Sequence, residues 1–150
     1  MLQLLRTNSE NADFCALVDL LDQDLRVRDG ENQEALAQLN FVAALPHAVV
    51  AYQYGEPVAC GAFRELTSEV VEIKRMFVRP ASRGQGLAQA VLLELERWAK
   101  EKSYACYVLE TGRNQPEAIR LYEKIGYRRV ANFGNYVGME NSVCMRKAVD

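Results

Sequence analysis

Six consecutive residues, Arg83-Gly84-Gln85-Gly86-Leu87-Ala88, have the types and spacing to hold an anion. They follow an extended apolar run, Val70 to Val78, and open a long helical run that reaches about Glu101. Two glycines at the mouth of a helix let backbone N–H groups approach a ligand that a side chain would keep away. The first N–H groups of a helix lack partners within it, and the macrodipole makes that end positive, so a phosphate or pyrophosphate suits the place. A tight strand-to-helix turn that merely relieves backbone strain is the alternative. Two common phosphate loops do not fit. Leu87 and Ala88 stand where a Walker loop needs Lys then Ser or Thr. A dinucleotide fingerprint starting at Gly84 meets Gln89 where Gly or Ala is needed, and Glu110 falls several residues late for its acid.

Other residues could carry chemistry nearby. Lys74, Arg75, Arg79 and Arg83 fall in a stretch without an acid, which reads as a counter-charge for phosphates or as an exposed basic edge. Glu72 and Glu110 are the carboxylates on the two strands expected to be central. Burial can raise a glutamate from its usual weak basicity, so either could accept a proton; an ordinary strand glutamate is the other reading of Glu72. Tyr122 shares an apolar helical face with Ala118, Leu121 and Ile125, where tyrosine often only packs. Asn114 precedes that helix and could cap it.

These residues need a scaffold. Leu2 to Arg6 can form a first strand. Thr7, Asn8 and Ser9 are cap-type residues ahead of Phe14, Leu17, Val18 and Leu21 at helical spacing. A second helix is expected from about Asn32 to Phe41, and Pro46 closes the region. Ala48 to Tyr54 and Pro57 to Leu66 read as strands joined at Gly55-Glu56. In the next strand Val71 and Ile73 share one phase and Met76 and Val78 the other. Either both faces are covered, or a bulge near Lys74 or Arg75 resets the phase. The helix from about Gly84 to Glu101 places Leu87, Val91, Leu95 and Trp98 on one face. Ala105 to Glu110 is a strand, and Gln115-Pro116-Glu117 starts a helix that Gly126 stops. Tyr127 to Phe133 and Ser142 to Lys147 supply the last strands, with Gly134 to Asn141 between them. The sum is an α/β (α+β) chain: a mixed, largely antiparallel sheet of about six to seven strands flanked by about four helices.

At 150 residues the chain (1–150) reads as a single domain. It is 49% apolar and 25% charged, with a formal charge of -2, a balance that argues against general nucleic-acid binding. Acids dominate from Glu10 to Glu34, with Arg26 and Arg28 against them; this is a solvated helix face or an acidic rim for a cationic substrate. Four scattered cysteines and His47, the single histidine, cannot build a usual Cys/His zinc site, and they read as reduced thiols. No stretch approaches the ~20 apolar residues of a membrane span, so a cytoplasmic protein is expected.

The pattern Arg-x-x-Gly-x-Ala resembles the acyl-CoA pyrophosphate loop of the GNAT superfamily of N-acetyltransferases. The resemblance extends from Glu72-Ile73-Lys74-Arg75-Met76-Phe77-Val78 through Leu109-Glu110-Thr111 and Asn114. It continues to Ala118, Leu121-Tyr122-Glu123-Lys124 and Gly126-Tyr127, and covers roughly residues 47 to 147. It implies a GNAT-like fold with a bulged central strand and acetyl-CoA as co-substrate without a metal. The pyrophosphate would lie on Arg83 to Ala88, and the pantetheine arm on the backbone of Met76, Phe77 and Val78 and on Asn114. It further implies that Tyr122 supports the departing thiolate during direct attack by a primary amine. Of the two carboxylates, Glu72 is the first choice for taking the amine's proton. The segment Phe133 to Asn141, with Asn135, Tyr136 and Glu140, would help shape the amine pocket. The family often forms dimers. A CoA-binding module without transferase activity, or a plain interaction domain, remains open, and the acceptor is unidentified.

Overall fold

A computed structural model describes residues 1–29 and 44–149. The expected helix from Asn32 to Phe41 lies outside these residues. In chain order the elements are β1 (Leu2–Thr7), α1 (Ala12–Asp29), β2 (His47–Gln53), β3 (Glu56–Glu65) and β4 (Val70–Val78). Then come α2 (Leu87–Glu101), β5 (Cys106–Gly112), α3 (Pro116–Ile125), β6 (Arg128–Val130) and β7 (Ser142–Ala148). The seven strands form one sheet in the order β1-β2-β3-β4-β5-β7-β6. All neighbours are antiparallel except β4 and β5 at the centre. That is the mixed, largely antiparallel sheet expected, with three α-helices among the described residues.

Both faces of the sheet are covered, and β2 shows how. Its middle residues, Ala48 to Ala51, are buried, with Ala48 and Val50 in one apolar cluster and Val49 and Ala51 in the other, the alternation a strand imposes. On one face Phe14, Leu17 and Leu21 of α1 pack against β2, β3 and Phe77. On the opposite face Leu87, Val91, Leu92 and Leu95 of α2 join Ile119 and Tyr122 of α3.

The caps differ in detail from the sequence reading. Asn11, not the residues from Thr7 to Ser9, caps α1: its Oδ1 accepts the Phe14 N–H at 2.9 Å. Ser9 Oγ instead accepts the Leu45 N–H at 2.8 Å, and Asn8 Oδ1 that of Glu10. Between β2 and β3 the tight turn is Tyr54-Gly55, with φ of 51° and 81°, the double left-handed turn that matches strand twist. Helix α3 begins at Pro116 and ends on left-handed Gly126, as its proline and glycine suggest.

The phase jump in β4 is a bulge. Cys60 of β3 pairs with Phe77 and Ala62 with Lys74, so Gly61 alone faces both Arg75 and Met76. Arg75 takes a left-handed φ of 60°. The extra residue returns Met76 and Val78 to the face of Val71 and Ile73, and all four contact the α2 cluster. Beside the bulge, the β4–β5 ladder runs from Val70–Cys106 to Ile73–Leu109. The remainder of β4 continues without that partner and opens a gap at the centre of the sheet.

Candidate active site

A cleft starts at the glycine loop and follows this gap. Arg83, Gly84, Gly86, Leu87 and Ala88 form one end, and Met76, Phe77 and Val78 form a wall. Ala118, Leu121 and Tyr122 of α3 stand opposite, and the cleft has a volume of about 370 Å³. Gly84 and Gly86 have φ of 83° and 77°, a region where a side chain would strain the backbone. A Cβ at either would meet nothing within 4 Å, so the loop is an open cradle held by its backbone conformation. Gly86 is the N-cap of α2 and supplies no side chain to its first N–H groups. Those donors and the positive end of the helix suit a pyrophosphate. Arg83 is placed beside them: its Nε donates to the Val78 carbonyl at 3.0 Å, and its Nη2 lies 3.7 Å from Asp24.

Deeper in, the cleft meets a smaller chamber of about 110 Å³. Met76, Gln115, Ala118 and Tyr122 belong to both spaces. The chamber is closed by a buried polar network on β4. Glu72 is 1% exposed. Its Oε1 accepts from Arg64 Nε at 3.0 Å and lies 2.9 Å from Arg64 Nη2. Its Oε2 accepts from Tyr136 Oη at 3.0 Å and Lys74 Nζ at 3.3 Å. Lys74, 5% exposed, also donates to Tyr136 Oη at 3.3 Å. Burial lowers the Lys74 pKa, and the Glu72 carboxylate opposes that fall. Glu110 of β5 lines the same chamber.

Tyr122 occupies the junction. It is buried, and burial first, then the Glu110 charge, raises its pKa above the ordinary phenol value. Its ring meets Tyr127 edge-to-face with centroids 5.8 Å apart. Tyr127 Oη in turn donates to Glu96 Oε2 at 2.7 Å, while Lys147 Nζ donates to Glu96 Oε1 at 2.8 Å. A carboxylate on α2 therefore fixes the ring that supports Tyr122. Tyr122 thus packs in the apolar cluster and lines both spaces at once.

Several expected placements change. Gln85 and Asn114 are exposed and outside the lining; Gln85 Oε1 accepts from Gln53 Nε2 at 3.0 Å. Gln115, not Asn114, is the N-cap residue of α3 and lines both spaces. The four cations do not stand together at the glycine loop. Lys74 closes the inner chamber, Arg75 Nη1 pairs with Asp22 at 3.1 Å, and Arg79 Nε donates to the Pro57 carbonyl at 2.7 Å. Arg83 alone of the four lines the cleft at the glycine loop. Nor is the acidic face of α1 simply solvated: Asp22 and Asp24 meet Arg75 and Arg83, and Asp13 accepts from Tyr52 Oη at 2.7 Å. Glu72 is not a surface glutamate, and its two oxygens are already engaged, which opposes the proton-accepting role expected of it. Leu21 and Leu25 of α1 also line the chamber, a role no sequence signal gave them.

The described residues contain no group of three or more His, Cys, Asp or Glu able to hold a metal ion. No described helix is long and apolar enough to cross a membrane.

The sequence profile of the Acetyltransferase (GNAT) family matches residues 14–127. An IAA acetyltransferase of Azospirillum brasilense is 35% identical over 100 residues, covering 66% of this chain and 65% of that protein. The uncharacterized N-acetyltransferase YjgM of Escherichia coli K12 is 34% identical, covering 66% of this chain and 60% of its own length. The chain thus spans somewhat less than two thirds of these relatives. A crystal structure of an acyl-CoA N-acyltransferase candidate from Klebsiella pneumoniae superposes with a TM-score of 0.83 at 30% identity, covering 100% of this chain and 99% of that one. A GNAT family acetyltransferase from Elizabethkingia anophelis with acetyl-CoA bound shares the fold at a TM-score of 0.70 and 18% identity, covering 98% and 97%.

Proposed function

The chain belongs to the GNAT acetyltransferase family, and from that premise we propose that it moves acetyl from acetyl-CoA to a primary amine by direct attack in a ternary complex. The observation that carries this reading is the continuity of the cleft. One space runs from an open glycine cradle, along the strand edge freed by the bulge, to a buried tyrosine. An anionic, extended thioester would find donors along that whole path. Its phosphates would rest on Arg83, Gly84, Gly86 and the first N–H groups of α2. The pantetheine arm would pair with the backbone of Met76, Phe77 and Val78, and Gln115 would face it from the start of α3.

The thioester supplies an activated acyl group; the protein orients it and manages charge. Backbone N–H groups near Phe77 and Val78 polarise the carbonyl, and Tyr122 donates a hydrogen bond to the leaving sulfur. Reference pKa values near 10 for tyrosine and 8.5 for a thiol put full proton transfer uphill by roughly 2 kcal/mol. The raised pKa of Tyr122 makes that transfer harder still, so a hydrogen bond that strengthens as the thiolate forms is the better description. The amine must lose a proton before it can attack. In this reading Glu110 accepts it, while Glu72, bonded to Arg64 and Lys74, anchors Tyr136.

The test is thiol release from acetyl-CoA across a panel of small amines, amino acids and peptides, run with the wild type and Glu110→Gln. Turnover with at least one amine, reduced in the variant, supports the reading. Tight acetyl-CoA binding without thiol release across the panel would replace it with a CoA-binding module.

A further inference from the structure

We propose that Lys74 is an acyl acceptor within the chain itself, so that the protein acetylates its own buried lysine and thereby closes its acceptor chamber. The proposal rests on the reading of the cleft as an acetyl-CoA site. Lys74 is a buried amine on the wall of the acceptor chamber. It lies on β4 just before the bulge, in phase with Glu72, and its side chain is 2% exposed. The chamber it lines meets the cleft at Met76 and Tyr122. Lys74 and Tyr122 line that same chamber, and a lysine carries its ammonium on a flexible four-carbon stem.

A lysine acts as a nucleophile only when neutral, and two features of its surroundings favour that state. Burial lowers the Lys74 pKa. Glu110, the carboxylate that takes the acceptor's proton in the reading above, lines the same chamber as Lys74. The neutral Nζ then attacks the thioester carbonyl carbon, forming a C–N bond while the C–S bond breaks. The thiolate leaves with a hydrogen bond from Tyr122. The second proton lost by Nζ ends on the thiol, and the proton on Glu110 returns to solvent. The products are acetyl-lysine, free CoA and one proton.

The modification has a structural consequence. An acetylated Lys74 has no charge to offer Glu72, and its new methyl and carbonyl groups enter a chamber of only about 110 Å³. An amine acceptor would then be excluded. Slow self-acetylation would limit transfer when acceptor is scarce and acetyl-CoA abundant.

The experiment is intact-mass and peptide-mapping mass spectrometry of the purified protein incubated with acetyl-CoA, beside calorimetric titration of the same preparation. The expected result is the mass of one acetyl group, mapped to Lys74, gained faster than on any other lysine. Lys74→Arg should abolish that gain, and Tyr122→Phe should slow it, because the same leaving-group contact serves both acceptors. Normal acetyl-CoA binding with Lys74 unmodified, or modified no faster than surface lysines, would overturn the proposal and leave the transferase reading intact. Absence of acetyl-CoA binding would overturn both.

Discussion

A Cβ placed on Gly61 would lie 2.4 Å from Met76 Sδ, and also within 3.0 Å of Leu95 and Val91 side-chain atoms. Gly61 is the single residue that β3 sets against the two-residue bulge of β4. The side chain that the bulge turns toward α2 thus occupies space that only a glycine on the next strand leaves open. Gly61→Ala should push Met76 and Leu95 out of place and destabilise the fold by about 1–3 kcal/mol, the usual range for overpacking. Chemical denaturation measures this directly, and acetyl-CoA affinity should fall along with stability because Met76 borders the cleft.

Tyr122→Phe removes one hydroxyl and keeps the ring that packs on Tyr127. If that hydroxyl stabilises the departing thiolate, kcat should fall by about 100-fold, typical of losing one donor to a developing anion. Calorimetric affinity for acetyl-CoA should change little. An undiminished kcat would remove Tyr122 from the chemistry.

Glu96→Gln tests the support behind it. The substitution leaves Lys147 beside a neutral amide and weakens the bond from Tyr127, and should cost about 1–3 kcal/mol in stability. With Tyr127 loosened, kcat should fall while KM for acetyl-CoA stays close to wild type. Steady-state kinetics on the folded variant separates that pattern from a general loss of structure.

The protein should lose stability under alkaline conditions. Burial raises the Cys60 thiol from 9.0 to about 12. Burial, then Asp13, raises the Tyr52 phenol from 10.0 to about 12. Tyr122, Tyr127 and Tyr136 are raised as well, each chiefly by burial. Raised values mean that the folded state holds protons that the unfolded chain gives up first. The stabilising contribution is therefore complete below about pH 9 and declines as pH rises toward 12. Thermal midpoints recorded across that window, with tyrosinate absorbance as a second readout, check the direction.

Much of this was legible in the sequence because it is local. The glycines of the loop, the apolar periodicity of α2, the Pro116 and Gly126 bounds of α3 and the phase jump in β4 are all patterns within a few residues. Tyr122 was legible for the same reason. What the sequence does not show is contact across the chain. Tyr136 reaches Glu72 over 64 residues from a segment with no periodicity. The cations from Lys74 to Arg83 look like one patch when written in a row. The bulge and the turn at Pro80–Ser82 send them to separate places, and acids on α1 meet Arg75 and Arg83. Asn114 and Gln115 are adjacent, so a one-residue difference in where α3 begins decides which one faces the cleft.

The central claim is that the glycine loop and the gap in the sheet hold acetyl-CoA. The most direct test is calorimetric titration of the wild type and of Gly86→Glu with acetyl-CoA, each shown to be folded by circular dichroism. The substituted carboxylate would bring a negative charge and a strained φ into the cradle, so binding should be measurable in the wild type and lost in the variant. Equal binding by both would place the cofactor elsewhere, and no binding by the folded wild type would contradict the claim outright.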